Sequence, residues 1–100
     1  AGIATAEDKE QAAQWYRKAA EAGYATAQCN LAVFLLHGVG VKREPEEAVR
    51  WFEQAAEGGH ARAQFLLGEL CRTGRAVKRD EARAVRLYRR AAEQGYADAM

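Results

Sequence analysis

The sequence predicts an all-α chain, a stacked array of helix-loop-helix units, from three observations. The stretch Trp51 to Gln64 has recognisable copies at Trp15 to Gln28 and at Leu87 to Met100, so a 36-residue period runs through the 100-residue chain. Apolar residues between the glycines recur at three- and four-residue intervals, the spacing of one helix face. No stretch alternates apolar and polar residues between hairpin turns, which removes the case for a strand. Units of this length cannot bury an apolar face alone and find their core against their neighbours.

The elements follow in order. Thr5-Ala6-Glu7-Asp8 has the form of a capping box, in which the Thr hydroxyl accepts a backbone N–H and the acid reaches back, so a helix starts there. Ala12, Trp15, Tyr16, Ala19 and Ala20 make its apolar stripe, and Gly23 stops it, placing the helix at about 6–22. The next helix, Ala25 to His37, is apolar on more than one side through Ala27, Leu31, Ala32, Val33, Phe34, Leu35 and Leu36, as expected of a helix with two neighbours. Gly38 ends it and residues 39–43 connect it to a third helix, which opens at Glu44-Pro45-Glu46-Glu47 with Pro in the first turn and acids at the positive end of the dipole. Gly58-Gly59 ends that helix; Ala61 to Thr73 and Asp80 to Glu93 repeat the cycle, with Gly74 and Gly95 as stops. The division expected is one array over 1–100: a half repeat at 6–22, repeats at 25–58 and 61–94, and the start of another at 96–100, a fragment of a longer array.

Composition excludes several classes. With 49% apolar and 29% charged residues the chain is neither disordered nor a membrane span, and no apolar run approaches the roughly 20 residues a span requires. Net charge is only +1, yet eight of the fifteen basic residues lie in 71–100 against four of the fourteen acids. Cys29 and Cys71, 42 residues apart without a Cys-x-x-Cys spacing, read as buried free thiols and not as zinc ligands.

Motifs that could carry chemistry have plainer explanations. Gly38-Val39-Gly40-Val41-Lys42 resembles a phosphate loop, but such a loop follows a strand and opens a helix, whereas this one follows a helix and recurs as a connector. His37 and His60 have no Ser, Cys or acid at a catalytic spacing, and Glu46 and Glu47 are accounted for by the helix dipole and by Glu46 with Arg50 at i, i+4. No catalytic residue, metal site or cofactor is therefore expected. Arg79, Arg83, Arg86 and Arg90 form a basic stripe, read first as a solvated outer face and second as a site for an acidic partner. Nucleic acid is disfavoured because no aromatic residue alternates with these arginines as a stacking platform.

Residues Ala48, Trp51, Phe52, Ala55, Ala56 and Gly59, then Ala61, Ala63, Gln64, Leu67, Gly68, Gly74, Val77 and Asp80, together resemble the pattern of the Sel-one-like repeats, relatives of tetratricopeptide repeats. The resemblance covers essentially the whole chain. It implies a right-handed αα-superhelix whose concave wall binds other proteins. Three positions depart from the pattern: Ala32 for Gly, Ala76 for the second loop Gly, and Leu87 for the repeat Trp. A cysteine-rich branch joins successive helices by disulfides at positions that here are Ala20 with Gln28 and Ala56 with Gln64, so that staple is absent. By analogy with tetratricopeptide repeats, Thr26, Cys29, Asn30, Val33, Leu36 and His37 of one inner helix face the groove, with Arg62, Phe65, Leu66, Glu69, Arg72 and Thr73 of the next.

The function expected is a scaffold that binds a protein or peptide segment in this apolar groove, without membrane insertion. The alternatives are a spacer or self-associating array without a specific ligand, or a hydrolase-like activity, which the resemblance to the cysteine-rich branch would imply. Three further expectations accompany this reading. Trp15 and Trp51 are buried between successive repeats with Leu87 in the equivalent place; Cys29 faces the groove while Cys71 is core; and open array ends allow self-association.

Overall fold

The computed structural model describes residues 5–96, which form five helices: α1 (Ala6–Glu21), α2 (Ala25–His37), α3 (Pro45–Glu57), α4 (Ala61–Thr73) and α5 (Glu81–Glu93). There is no strand among the described residues. Local chemistry sets the boundaries. The Thr5 hydroxyl accepts from Asp8 N at 3.1 Å while Asp8 Oδ2 accepts from Thr5 N at 3.2 Å, completing the capping box of α1. Pro45 occupies the first turn of α3, and Asp80 caps α5 by accepting from Arg83 N at 2.9 Å. His60 plays the same part for α4: its Nδ1 accepts from Ala63 N at 3.2 Å, a role the sequence did not suggest.

Two layers result. Side-chain bonds join α1 to α3 through Arg17 and Glu47 at 2.9 Å and α3 to α5 through Arg83 and Glu53 at 2.9 Å, so these three helices lie side by side. The second layer is α2 and α4, bridged by Arg62 Nη1 donating to Asn30 Oδ1 at 3.1 Å. The core lies between the layers, where Leu31, Leu35, Phe52 and Leu67 are fully buried together with Ala32, Ala48, Ala55 and Ala63. Burying one such large side chain stabilises the fold by about 1.5–3 kcal/mol.

Two glutamines tie the layers from inside. Gln28 Nε2 donates to the Ala20 carbonyl at 3.2 Å and Gln64 Nε2 to the Ala56 carbonyl at 3.1 Å, both buried. These are the two position pairs at which the resemblance placed disulfides in the cysteine-rich branch, and a hydrogen bond spans each here. A buried polar group without such a partner would cost about 1–3 kcal/mol.

The burial of α1 differs from expectation. Its core face is Ala13 and Ala20, flanked by half-buried Ala12, Tyr16 and Ala19, while Trp15 is 70% exposed. The reason is visible at the equivalent positions. Trp51 is half-buried on the side of α3 that meets α1, with its Nε1 donating to the same Glu47 carboxylate that holds Arg17, and Leu87 is buried between α5 and α3. Each has a helix of the same layer before it; among the described residues Trp15 has none. Lys18 Nζ instead sits 5.6 Å from the Trp15 ring centroid.

The long loops show how Ala76 replaces a glycine. Gly40 has φ 66° and Ala76 φ 62°, so the second loop keeps the left-handed geometry and accepts the strain of a Cβ. Gly40 is needed for a second reason: a Cβ there would overlap the Lys9 carbonyl of α1 and stand 2.9 Å from the Glu10 amide nitrogen. The Gly68 position is also close-packed. Its hypothetical Cβ would lie 2.9 Å from the Tyr88 ring, whereas the equivalent Ala32 faces the core with Phe52.

Candidate partner-binding cleft

Stacking α2 beside α4 leaves a cleft of about 350 Å³ between them. Val33, Leu36 and His37 come to it from α2, Arg62, Phe65, Leu66, Glu69 and Leu70 from α4, Phe52 from the floor and Arg75 from the loop after α4. Most of the lining is apolar because both helices carry hydrophobic side chains on more than the face that packs on α3 and α5. The volume is at the small end of the roughly 300–1,000 Å³ typical of ligand sites.

Seven of the groove residues expected from the sequence, Val33, Leu36, His37, Arg62, Phe65, Leu66 and Glu69, line this cleft. Asn30 stands beside it as the acceptor for Arg62, and Arg72 turns away to bond Glu69 at 3.0 Å and the Tyr88 hydroxyl at 3.2 Å. Cys29 requires correction. It lies one turn before Val33 on the same helix face, but it is fully buried beside Arg62 of α4 and presents no surface to the groove. Leu36 is only 6% exposed, so it belongs to the core as much as to the cleft. Thr26 and Thr73 are exposed, and the Thr73 hydroxyl donates to the Glu69 carbonyl at 2.8 Å. Leu70, Phe52 and Arg75 were not anticipated. Leu66 and Leu70 at i, i+4 was the available signal for the first; nothing local marks Arg75.

Phe65 is anchored from its far side, its ring centroid 5.6 Å from that of Tyr88 and 5.4 Å from that of Tyr96. The Tyr88 hydroxyl donates to Glu69, so Glu69 is engaged by both Tyr88 and Arg72. Those bonds hold its carboxyl below the usual range against the opposing effect of burial. Glu47 is also lowered: burial pushes it up, but the bonds from Arg17 and Trp51 and the Arg17 charge outweigh this. At that helix start Glu47 pairs with Arg17 at 2.9 Å and Glu44 with Lys42 at 3.8 Å, while Glu46 has no ion-pair partner among the described residues. Burial pushes both cysteine thiols up, the nearby guanidinium of Arg62 opposing this at Cys29 and that of Arg83 at Cys71.

The basic stripe meets acids of its own chain. Arg79 pairs with Glu81 and Arg83 with Glu53, while Arg83, Arg86 and Arg90 border a cleft of about 260 Å³ shared with Glu53 and Glu57. The Gly-x-Gly segment connects α2 to α3 with Gly40 packed on α1, so its backbone serves a helix contact. Among the described residues no cluster of His, Cys, Asp or Glu could hold a metal ion, and no helix is long and apolar enough to cross a membrane.

Comparison with known proteins agrees with this architecture. A model of the Sel1 repeat matches residues 1–24, 25–60 and 61–96. A Sel1 repeat protein from Oxalobacter formigenes is 41% identical with a TM-score of 0.89, over 92% of this chain and 38% of that one. A protective antigen present in uropathogenic Escherichia coli strains, displaying an SLR fold, is 37% identical with a TM-score of 0.86, over 91% of this chain and 20% of that one. Cysteine-rich protein B of Helicobacter pylori is 25% identical with a TM-score of 0.82, over 87% of this chain and 65% of that one. This chain thus spans less than two thirds of the length of each. No curated protein matches it in sequence.

Proposed function

The chain belongs to the Sel1 repeat family, whose members are generally helical scaffolds for protein interaction, and from that premise we propose that this array binds a segment of a partner protein in the cleft between α2 and α4. One observation carries the reading: Val33, Leu66 and Phe65 stay partly open to solvent in a single concave site, although the core beside them is filled. An apolar, concave surface with a charged rim suits a peptide or helix whose side chains insert into it. In this reading the array supplies shape and charge and no reaction chemistry; His60 Nδ1 is occupied at a helix cap.

The experiment is affinity capture with the Val33→Glu/Leu66→Glu variant beside the wild type. Both side chains are only half-buried, so the variant is expected to melt near the wild type and to lose the captured partner. Leu36 is unsuitable for this test because it is also core. Partners retained in full by a folded variant would leave the array as a spacer.

A further inference from the structure

The charge around the cleft is unevenly balanced. Arg62, Arg75 and His37 line it alongside one acid, Glu69, and Glu69 is already engaged by Arg72 and Tyr88. Among the described residues no carboxylate lies within ion-pair distance of Arg62 or Arg75; Arg62 is spent only on the neutral amide of Asn30. In the α5 stripe Arg79 and Arg83 each have an acid of their own, and Arg86 and Arg90, though outside ion-pair distance, share their cleft with Glu53 and Glu57. Arg62 belongs to the first turn of α4 and Arg75 follows its last, so the two side chains reach the cleft from backbone positions at opposite ends of that helix. A helix of that length separates their Cα atoms by roughly 15–20 Å.

We infer that the partner segment is acidic at both flanks and apolar at its centre, with carboxylates placed to meet Arg62 and Arg75 and an aliphatic or aromatic side chain between them against Val33, Phe65 and Leu66. This rests on the cleft being the binding surface and adds the chemistry of what it takes. The spacing follows from the geometry. An extended segment rises about 3.3 Å per residue and would carry its acids about five residues apart, whereas a helical segment would need about eleven. A lysine-rich segment would bring like charges to both ends and is selected against.

The test uses the full chain, immobilised, with a displayed library of random peptides selected in low salt. Sequenced binders are expected to carry Asp or Glu on both sides of a Leu, Ile, Phe or Trp. A synthetic binder should lose at least tenfold in affinity between 50 and 500 mM salt and a comparable amount against the Arg62→Glu/Arg75→Glu variant, its circular dichroism unchanged. Exchanging the peptide's acids for lysine should restore part of that loss. Binders that the Val33→Glu/Leu66→Glu variant rejects but that lack acids, or are basic, would overturn the charge inference and leave the cleft as the binding surface. Should the arginine variant fail to fold, the salt titration of the wild type decides alone, and affinity indifferent to salt overturns the inference. No enrichment at all, or a concentration-dependent dimer abolished by Val33→Glu/Leu66→Glu, overturns it together with the partner-binding reading.

Discussion

At one position the two long loops of this chain differ by a single methyl group, Gly40 in the first and Ala76 in the second. At Ala76 the left-handed backbone is adopted by a residue with a Cβ, which costs about 1–2 kcal/mol relative to an unstrained conformation. Ala76→Gly should therefore raise stability by about 1 kcal/mol after the added freedom of the unfolded chain is subtracted, as read in a denaturant titration. Gly40→Ala should lower it by more than that, because the same strain is joined by overlap with the Lys9 carbonyl. His60 gives a second residue-scale prediction. Burial, and then the charge of Arg62, depress its pKa below 6.5, and its Nδ1 must be unprotonated to accept from Ala63 N. The unfolded chain then binds the proton more readily, so this contribution is complete above about pH 6.5 and is lost as pH falls through the folded value. Melts between pH 7 and 5 should show the loss in the wild type, and His60→Asn, which caps without titrating, should flatten that part of the profile.

At the scale of helices, the wild-type aromatic positions should separate by how many neighbours each has. Phe52→Ala should cost about 3–5 kcal/mol, Trp51→Ala about 2, and Trp15→Ala no more than about 0.5, measured as shifts in the denaturation midpoint. A large loss at Trp15 would mean that α1 packs through a different face. This series also marks the boundary of what was legible. Helices 25–37 and 61–73 could be read from the sequence to the residue, because the glycine stops before and after them act locally on the backbone. The exposure of Trp15 could not, since it depends on whether another helix lies beside α1. Nor could the burial of Cys29: α2 is apolar nearly all round, and a pattern without a polar face does not say which of its residues a neighbouring helix covers. The cleft was legible in its main residues, but the free charge of Arg75 was not, because a loop residue's neighbours are set by the fold.

For the molecule as a whole, Cys29 in α2 and Cys71 in α4 report on cooperativity. Both thiols are buried, and α3 is packed against the two helices that carry them through Phe52 and its neighbours. If the array opens as one unit, both should react with a thiol reagent at one common rate, accelerated together by denaturant and separated by mass analysis of digested protein. Two distinct rates would show that the units open separately. The glutamine ties of Gln28 and Gln64 have a related consequence. Where helices are joined by a sulfur bridge, the scaffold must be oxidised to mature and is undone by electrons. Here the joints are made as soon as the chain folds, require no oxidant or isomerase, and hold at any redox potential; a melt with excess dithiothreitol should superimpose on one without it.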